Sequence, residues 1–263
     1  MNILKYCIFH FCKYITNYCK LDIYLFYIYI YIYMSKLLQF DLSEIPDNPS
    51  IVLAGRRRSG KGVLCKDLCY NFFRGKIKNT FLFSPTAEIA TNGFDFVPFE
   101  FRYNEVDIEV IERIMKRQEY LIRQDPRGDF RTLIIIDDII ATNDNKQQKI
   151  LDKLFICARH YQIALIVCYQ YIKKDFSPVQ RDNVDIIFCF QQSNFDNKDA
   201  LNKQYLSVND NKKDGMDLIN KYAVGYQTLT IMNTTNSDKY EDFCFYYEAD
   251  LINKKFKLGK DYE

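Results

Sequence analysis

Residues 55 to 62 form a basic string, flanked by glycines, with the spacing of a phosphate-binding loop. The string reads Gly-Arg-Arg-Arg-Ser-Gly-Lys-Gly and directly follows the apolar run Ile51–Ala54. Glycines let the backbone turn tightly so that successive N–H groups point at phosphates, while Lys61 reaches the β- and γ-phosphate oxygens. The alternative is a strand-to-helix turn beside a basic surface cluster, and the apolar residues at helical spacing in 63–73 argue against it. The predicted ATP-binding residues are Gly55, Arg56, Arg57, Arg58, Ser59, Gly60, Lys61 and Gly62.

Gly62 departs from the usual pattern of such a loop. The residue after the lysine is ordinarily Ser or Thr, whose hydroxyl contacts Mg²⁺. With glycine at this position, the metal must rely on water and on acidic ligands elsewhere in the chain. The departure weakens the case for fast hydrolysis more than the case for nucleotide binding.

A second motif supplies those acids. The run Thr132–Ile136 is continuously apolar or β-branched and ends in Asp137 and Asp138. Such a run predicts a buried parallel strand, and ligands of open α/β sheets lie beyond the carboxyl ends of these strands. We expect Asp137 to be the Mg²⁺-linked carboxylate and Asp138 to orient or polarise the attacking water. The alternative is a strand that ends in a solvated turn.

The elements that must position these residues alternate along the chain. Beyond the two strands already described, the pattern predicts strands at 80–83, 163–168, 184–190, 227–232 and 243–247, and helices from the loop to about 73, at 106–123 and at 145–160. Pro85 ends the strand at 80–83, and the polar loop that follows can face the nucleotide. The alternation predicts one α/β domain with a mostly parallel, doubly wound sheet and helices on both faces.

Composition limits the remaining possibilities. A chain of 263 residues that is 48% hydrophobic can bury one sizeable core, and its net charge of +2 provides no global basic field for nucleic acid. Any DNA contact must therefore be local, and we expect it in loops after the central strands, at Lys173, Lys174, Arg181, Lys198, Lys203, Lys212 and Lys213. The nine cysteines include no Cys-x-x-Cys pair, which indicates reduced thiols and neither a zinc site nor a disulfide framework.

Residues 1–33 differ from the rest of the chain because they are crowded with Tyr, Ile, Phe and Cys. Three interpretations stay open: a membrane anchor, an aggregation-prone strand, or translated upstream sequence with the true start at Met34. The Ile/Tyr alternation of 23–33 is a strand pattern, which a single segment cannot satisfy in lipid, and the apolar run is shorter than the roughly 20 residues of a spanning helix. We therefore favour a non-native leader over an anchor, with a single ATPase domain at 34–263 and no membrane partner.

Two further polar residues lie near the ends of predicted elements. Gln170 follows the strand at 163–168 and can hydrogen-bond the γ-phosphate or the attacking water, although glutamine is also common in turns. Arg159 ends the helix before that strand and can supply charge to the ATP of a neighbouring subunit. The helix macrodipole also favours an arginine at this end without any function.

These motifs together resemble a known family. The loop at 55–62, the acidic strand at 133–138 and the set from Ala158 to Gln170 are similar, in order and spacing, to the genome-packaging ATPases of the FtsK/HerA superfamily. The similarity is to the poxvirus-type branch of large DNA viruses, virophages and Polinton (Maverick) elements, and it covers roughly 47–250. It implies a P-loop NTPase core of the additional-strand, RecA-like type.

The resemblance also implies what the protein does. The expected function is ATP hydrolysis by a homo-oligomeric ring that moves double-stranded DNA into a preformed capsid with capsid or portal-like partners. The expected location is the host nucleus or cytoplasm at sites of virion assembly, or the virion itself. Gln170 takes the sensor role and Arg159 the subunit-bridging role. As in terminase-like motors, one of Arg56, Arg57 and Arg58 can also act in cis on the γ-phosphate, or the run can be solvated.

Two other functions remain open. A helicase or DNA-remodelling ATPase of a replication machinery would share the core, and a nucleotide-gated assembly protein without turnover would be consistent with Gly62. Because His10 and His160 are the only histidines of the chain, no cluster suited to a nuclease site is present in the sequence. DNA cutting is therefore not expected.

Overall fold

An eight-stranded mixed sheet organises the computed structural model, which describes residues 36–89, 93–138, 145–207 and 212–259. Its strand order is β3-β2-β4-β5-β1-β6-β7-β8. Neighbours from β3 through β6 in that order pair in parallel, whereas β7 is antiparallel to β6 and β8 is antiparallel to β7. The strands are β1 Ser50–Ala54, β2 Asn79–Phe83, β3 Arg102–Tyr103, β4 Thr132–Ile136, β5 Ile163–Tyr169, β6 Ile186–Cys189, β7 Gln227–Met232 and β8 Cys244–Glu248.

Helices connect the strands. They are α1 Lys61–Leu68, α2 Ile108–Gln124, α3 Asn145–Cys157, α4 Ile172–Asp175, α5 Pro178–Asn183, α6 Phe195–Leu201, α7 Lys212–Tyr222 and α8 Tyr240–Phe243. Side-chain caps define where several of them begin: Asp107 accepts the Val110 N–H at 3.0 Å at the start of α2, and Ser177 forms a capping box with Gln180 at the start of α5. Short π-helical segments extend α1 over Cys69–Phe73 and α6 over Asn202–Leu206.

The central strand β5 lies between β1 and β4. Every residue of β1, β4 and β5 is buried, as expected for parallel strands covered on both faces. The ladder pairs Ala54 with Tyr169 and Ile136 with Val167, so the three strands end at one edge of the sheet. This order, with an additional strand between the loop-bearing strand and the acidic strand, confirms the predicted fold class.

The structure differs most from the sequence predictions in the segment of the chain after β5. The basic residues expected in loops lie on helices instead: Lys173 and Lys174 on α4, Arg181 on α5, Lys198 on α6, Lys203 on its π-helical extension, and Lys212 and Lys213 at the start of α7. Of these helices, α4, α5 and α6 are short and rich in polar residues, which is why their sequences resemble loops. The helix predicted at 145–160 ends its α-helical part at Cys157 and continues as a 3-10 helix over Ala158–Tyr161.

The predicted leader at 1–33 lies outside the described residues. Within the described ranges, no helix is long and apolar enough to cross a bilayer. In the same ranges, no group of three or more His, Cys, Asp or Glu side chains is placed to hold a metal ion, and the described cysteines are free thiols.

A buried hydrogen bond anchors α1 to the antiparallel side of the sheet. The Tyr247 hydroxyl of β8 donates to Asp67 Oδ2 at 2.6 Å, and the Asn71 amide donates to Asp67 Oδ1 at 2.6 Å. Asp67 is fully buried, and burial raises the pKa of its carboxyl while these two hydrogen bonds lower it. The helix that carries Lys61 at its first turn is therefore fixed by a contact with the strand farthest along the chain.

We expect Tyr247→Phe to destabilise the protein by about 1–3 kcal/mol, because it removes one of the hydrogen bonds to the buried Asp67 carboxylate. The measurement is urea denaturation followed by circular dichroism. Tyr120→Phe is the matched control, since Tyr120 is exposed on α2 and its hydroxyl loses little on removal. Equal stabilities of the two variants would contradict the anchoring role of the Tyr247–Asp67 hydrogen bond.

Candidate active site

The phosphate-loop sequence adopts a tight turn between β1 and α1. The Gly55 N–H donates to the Tyr169 carbonyl at 3.0 Å, and the Leu64 N–H donates to the Gly60 carbonyl at 3.0 Å as α1 begins. Gly60 has a φ of 105°, and a Cβ at this position would lie 3.1 Å from the Tyr226 ring and 3.3 Å from the Phe190 ring. Both the backbone conformation and the close packing therefore require glycine.

Lys61 points back over the loop. Its ammonium donates to the Gly55 carbonyl at 2.6 Å and to the Arg56 carbonyl at 3.0 Å, and its side chain is buried. Burial lowers the pKa of Lys61, and the nearby acidic groups of Cys168, Asp137 and Asp138 offset part of that effect. The loop thus holds a cation close to both carboxylates at the end of β4.

Asp137 and Asp138 follow β4 at the same edge. The Asp137 N–H donates to the Phe83 carbonyl at 2.9 Å, so the β4 terminus stays paired with β2. Burial raises the pKa of Asp137, as does the charge of Asp138, whereas Lys61 and hydrogen bonds from Cys168 and Ser84 lower it. Asp138 has a φ of 57°, a left-handed conformation that aspartate tolerates better than most residues.

Gln170 follows β5 and its amide donates a hydrogen bond to Asp138 Oδ1. Its backbone is held by Asn197 of α6, whose amide donates to the Gln170 carbonyl at 3.2 Å and whose oxygen accepts the Lys173 N–H at 3.4 Å. Asn197 was not among the predicted site residues, because nothing in its local sequence distinguishes it from other polar helix residues. Its burial and its contact with Gln170 are properties of the tertiary structure.

A cleft of about 560 Å³ joins these groups. Its lining includes Lys61, Asp137, Asp138 and Gln170, which the structure therefore brings together as the sequence analysis expected. The cleft is also lined by Arg57, Arg58, Gly60, Gly62, Val63, Lys66, Thr86, Gly93, Phe94 and Tyr226. Arg56 is exposed on the loop, and Ser59 is buried with its hydroxyl close to Gly55.

Arg159 lies at the opposite edge of the sheet. It belongs to the 3-10 helix that precedes β5, whereas Gln170 follows β5, and seven extended residues separate the two edges by roughly 20 Å. The side chain is exposed. Burial raises the pKa of Asp185, which lies just before β6, and the charge of Arg159 offsets part of that rise. The structure does not bring Arg159 into the cleft of its own chain.

The basic residues after β5 are mostly engaged with neighbours. Lys173 pairs with Asp196 at 3.3 Å and Lys203 pairs with Asp199 at 2.6 Å. Lys198 donates to Asn220 at 2.7 Å, and Arg181 donates to the carbonyls of Ile172 and Lys173. Exposed ion pairs of this kind contribute little stability, so an incoming phosphate can displace the carboxylates.

Most of the chain matches one known protein family. The model of the family described as Poxvirus A32 protein matches residues 38–259, which include the whole cleft. The chain belongs to this family.

Two viral relatives of this A32-family chain extend the match. It is 25% identical over 233 residues to protein L437 of Acanthamoeba polyphaga mimivirus, covering 85% of this chain and 80% of the relative. It is 27% identical over 239 residues to protein 088R of Invertebrate iridescent virus 3, covering 85% of this chain and 90% of the relative. The relatives therefore correspond to the A32-family chain over most of their own length.

A solved structure supports the fold. The genome packaging NTPase B204 from Sulfolobus turreted icosahedral virus 2, in complex with AMPPCP, superposes with a TM-score of 0.51 at 17% identity. The match covers 78% of the A32-family chain and 100% of B204. At this identity the likeness concerns the fold alone, which is that of a P-loop NTPase.

Tyr226 lines the cleft but was not among the predicted site residues. It immediately precedes β7, and because β7 is antiparallel to β6, its beginning lies at the same edge as the end of β1. The ring covers Gly60, yet 69% of the residue remains exposed toward solvent and the cleft. An exposed aromatic ring beside a phosphate loop can stack on a nucleobase. The only sequence signal was an aromatic residue after Gly225, far from the loop.

We expect Tyr226→Ala to weaken ATP binding by roughly tenfold, because base stacking on an aromatic side chain contributes about 1–3 kcal/mol. Tyr226→Phe should bind ATP as the wild type does. Isothermal titration calorimetry with ATP and with tripolyphosphate separates base from phosphate contacts, since only ATP binding should change. Tyr120→Ala, which truncates an exposed tyrosine on α2, is the control. An equal loss of tripolyphosphate affinity would contradict base stacking.

Proposed function

We propose that this chain is an ATP-driven motor that packages double-stranded DNA into a viral capsid. The observation that carries the proposal is the convergence of Lys61, Asp137, Asp138 and Gln170 on one cleft, in a chain of the Poxvirus A32 protein family. The related fold of a viral genome packaging NTPase, solved with an ATP analogue, supports it. In this proposal residues 34–263 act as a single ATPase domain within an infected host cell.

The residues of the cleft divide the chemistry among them. The N–H groups of the loop and the Lys61 ammonium bind the β- and γ-phosphates of ATP. Mg²⁺ fits the donors present, because the Asp137 carboxylate is a hard oxygen ligand, and when bound the ion neutralises charge that develops on the phosphates. Asp138 accepts a proton from the attacking water and holds that water in line.

Gln170 and the loop arginines complete the site. Gln170 orients Asp138 through their hydrogen bond and, as a sensor, links the γ-phosphate to α6 through Asn197. Arg57 and Arg58 line the cleft and add positive charge near the γ-phosphate, whereas Arg56 contributes its carbonyl to Lys61. A cis arginine in this chain is therefore Arg57 or Arg58.

Arg159 acts in trans in this proposal. Arg159 is too far from the cleft of its own chain to contact ATP there, so it can act only on the cleft of a neighbouring subunit. A closed ring places such a neighbour at every interface. The ring encloses DNA, whose phosphates contact basic side chains of α4 and α6 such as Lys173, Lys174 and Lys198. Such contacts read no base sequence. Capsid or portal-like proteins recruit the ring.

We expect purified Met34–Glu263 to hydrolyse ATP faster with double-stranded DNA than without it. Lys61→Ala and Asp138→Asn should each lower turnover by on the order of 10² or more, because each removes a group that stabilises the transition state. Lys221→Ala is a control that removes a lysine from α7, outside the cleft lining. A coupled-enzyme assay measures turnover.

Different outcomes separate the competing functions. Stimulation by single-stranded DNA alone would support a helicase or remodelling ATPase and contradict the packaging proposal. ATP binding without turnover on any DNA would support a nucleotide-gated assembly protein, which the glycine at position 62 favours.

We further expect Arg159→Ala to abolish turnover. Rings that combine this variant with Lys61→Ala should recover part of it. In a mixture of Arg159→Ala and Lys61→Ala subunits, a Lys61→Ala subunit supplies Arg159 to the intact cleft of its neighbour. Roughly a quarter of the sites regain function in a random mixture, because each heterologous interface joins two different surfaces. His160→Ala, an exposed neighbour, controls for local disruption. Absence of recovery in rings that are shown to mix would contradict a trans role.

A further inference from the structure

The turn that carries Arg159 lies at the surface, yet its backbone is held in one specific conformation. It is the 3-10 helix Ala158–Tyr161, in which Ala158 is buried while Arg159 and His160 are exposed. The turn ends at Gln162, whose φ of 51° is a left-handed conformation that residues other than glycine adopt at a cost. The Gln162 N–H donates to the Arg159 carbonyl at 3.4 Å, so this conformation closes the turn at the arginine itself.

The side chain of Gln162 secures that conformation. Its Oε1 accepts the Phe130 N–H at 2.8 Å, and its Nε2 donates to the Gly128 carbonyl at 2.9 Å. The orientation of the amide is determined, because a backbone N–H only donates and a carbonyl only accepts. Both partners belong to the segment that leads into β4, so the two hydrogen bonds tie the turn to the sheet and hold a backbone conformation that is otherwise disfavoured.

A second glutamine holds the same turn from α2. Gln118 is fully buried, and its Nε2 donates to the Tyr161 carbonyl at 3.1 Å and to the Phe130 carbonyl at 2.7 Å. Its Oε1 accepts a hydrogen bond from Arg117 at 2.9 Å. An amide nitrogen has two protons, so both are used to join the end of the turn to the segment before β4.

The position of Gln118 is unusual for a polar residue. It lies on the buried face of α2 with Ile111, Ile114 and Met115, where an apolar side chain is the ordinary choice. Burying an amide costs free energy unless its hydrogen bonds are made, and an apolar residue could bind neither carbonyl. The hydrogen bonds to the turn therefore distinguish glutamine from its apolar neighbours at this position.

We propose that Gln118 and Gln162 are positioning residues for Arg159, which fix the backbone of its turn so that the exposed guanidinium enters the cleft of a neighbouring subunit at a defined place. A charged group stabilises a transition state only when it is held close to the correct geometry, and a displacement of about 1 Å can cost a large factor in rate. A fixed turn leaves only the arginine side chain to be ordered when subunits meet. The inference rests on the proposed function and on the trans role of Arg159 within it.

The test places a variant in only one kind of subunit of the mixed ring. Rings of the full chain combine Lys61→Ala subunits, which supply Arg159, with Arg159→Ala subunits, which supply the intact cleft. Gln118→Met cannot donate to either carbonyl, and in the Lys61→Ala subunits it should lower the recovered turnover by about tenfold or more. In the Arg159→Ala subunits the same change should leave the recovered turnover as it was, because no arginine is positioned there.

A second variant and a control make the assignment specific. Gln162→Gly permits the left-handed conformation without strain but removes both side-chain hydrogen bonds, so it should show the same dependence on the subunit that carries it. Gln124→Met is the matched control, because it makes the same substitution on the same helix at an exposed position. It should lower the recovered turnover in neither kind of subunit.

The outcomes distinguish this inference from the function on which it rests. Equal losses in the two kinds of subunit would mean that Gln118 only stabilises the fold, and a larger loss in the Arg159→Ala subunits would mean that it acts on β4 through Phe130; either result overturns the inference. If rings that are shown to mix recover no turnover without these variants, the trans role fails and the inference fails with it. Turnover by the wild type then decides separately whether the ATPase function stands.

Discussion

The parallel register of β1, β5 and β4 is the constraint on which the rest of the structure depends. Neighbouring parallel strands end together, so Gly55, Asp137 and Gln170 emerge at one edge, although Asp137 lies 82 positions and Gln170 lies 115 positions after Gly55 in the sequence. The pairing continues one residue past the strands, where the Gly55 N–H still bonds the Tyr169 carbonyl. A slip of one residue in β4 would turn Asp137 to the other face of the sheet and remove it from Lys61.

That register brings the charged groups of Lys61 and Asp137 together in a buried part of the cleft, where their charged forms are disfavoured. Burial lowers the pKa of Lys61 and raises the pKa of Asp137, because it disfavours the charged form of each side chain relative to water. Their mutual attraction offsets part of this cost in the absence of ligand. Under the proposed function, a phosphate would give Lys61 a full counter-charge, and a divalent cation would do the same for Asp137. The electrostatic cost of burying these two side chains would then be relieved by the ligands, as expected of a preorganised site.

The sequence predicted those parts of the site that are encoded by local pattern. The strands at 51–54, 132–136 and 163–168 are continuous apolar runs, and the phosphate loop needs only its own glycines and lysine, so both were recognisable. Tyr226 and Asn197 were not, because their roles depend on which elements pack at the same edge. The two-residue strand β3 and the short polar helices α4 to α6 carry too little periodicity to be distinguished from loops. The antiparallel strand β7 explains the position of Tyr226. It begins at the edge of the sheet where the phosphate loop lies, so Tyr226 comes close to Gly60.

The two sides of the cleft belong to different parts of the sheet. Asp137 and Ser84 belong to the side formed by β2 and β4, which the Asp137 N–H to Phe83 carbonyl hydrogen bond holds together. Lys61 belongs to the loop side, and Gln170 is tied to α6 through Asn197. Under the proposed function, a phosphate bound between these sides would connect them, and its release would loosen a contact beside Gln170 and the helix that supports it. The proposed hydrolysis would thereby have a mechanical route from the cleft to α6.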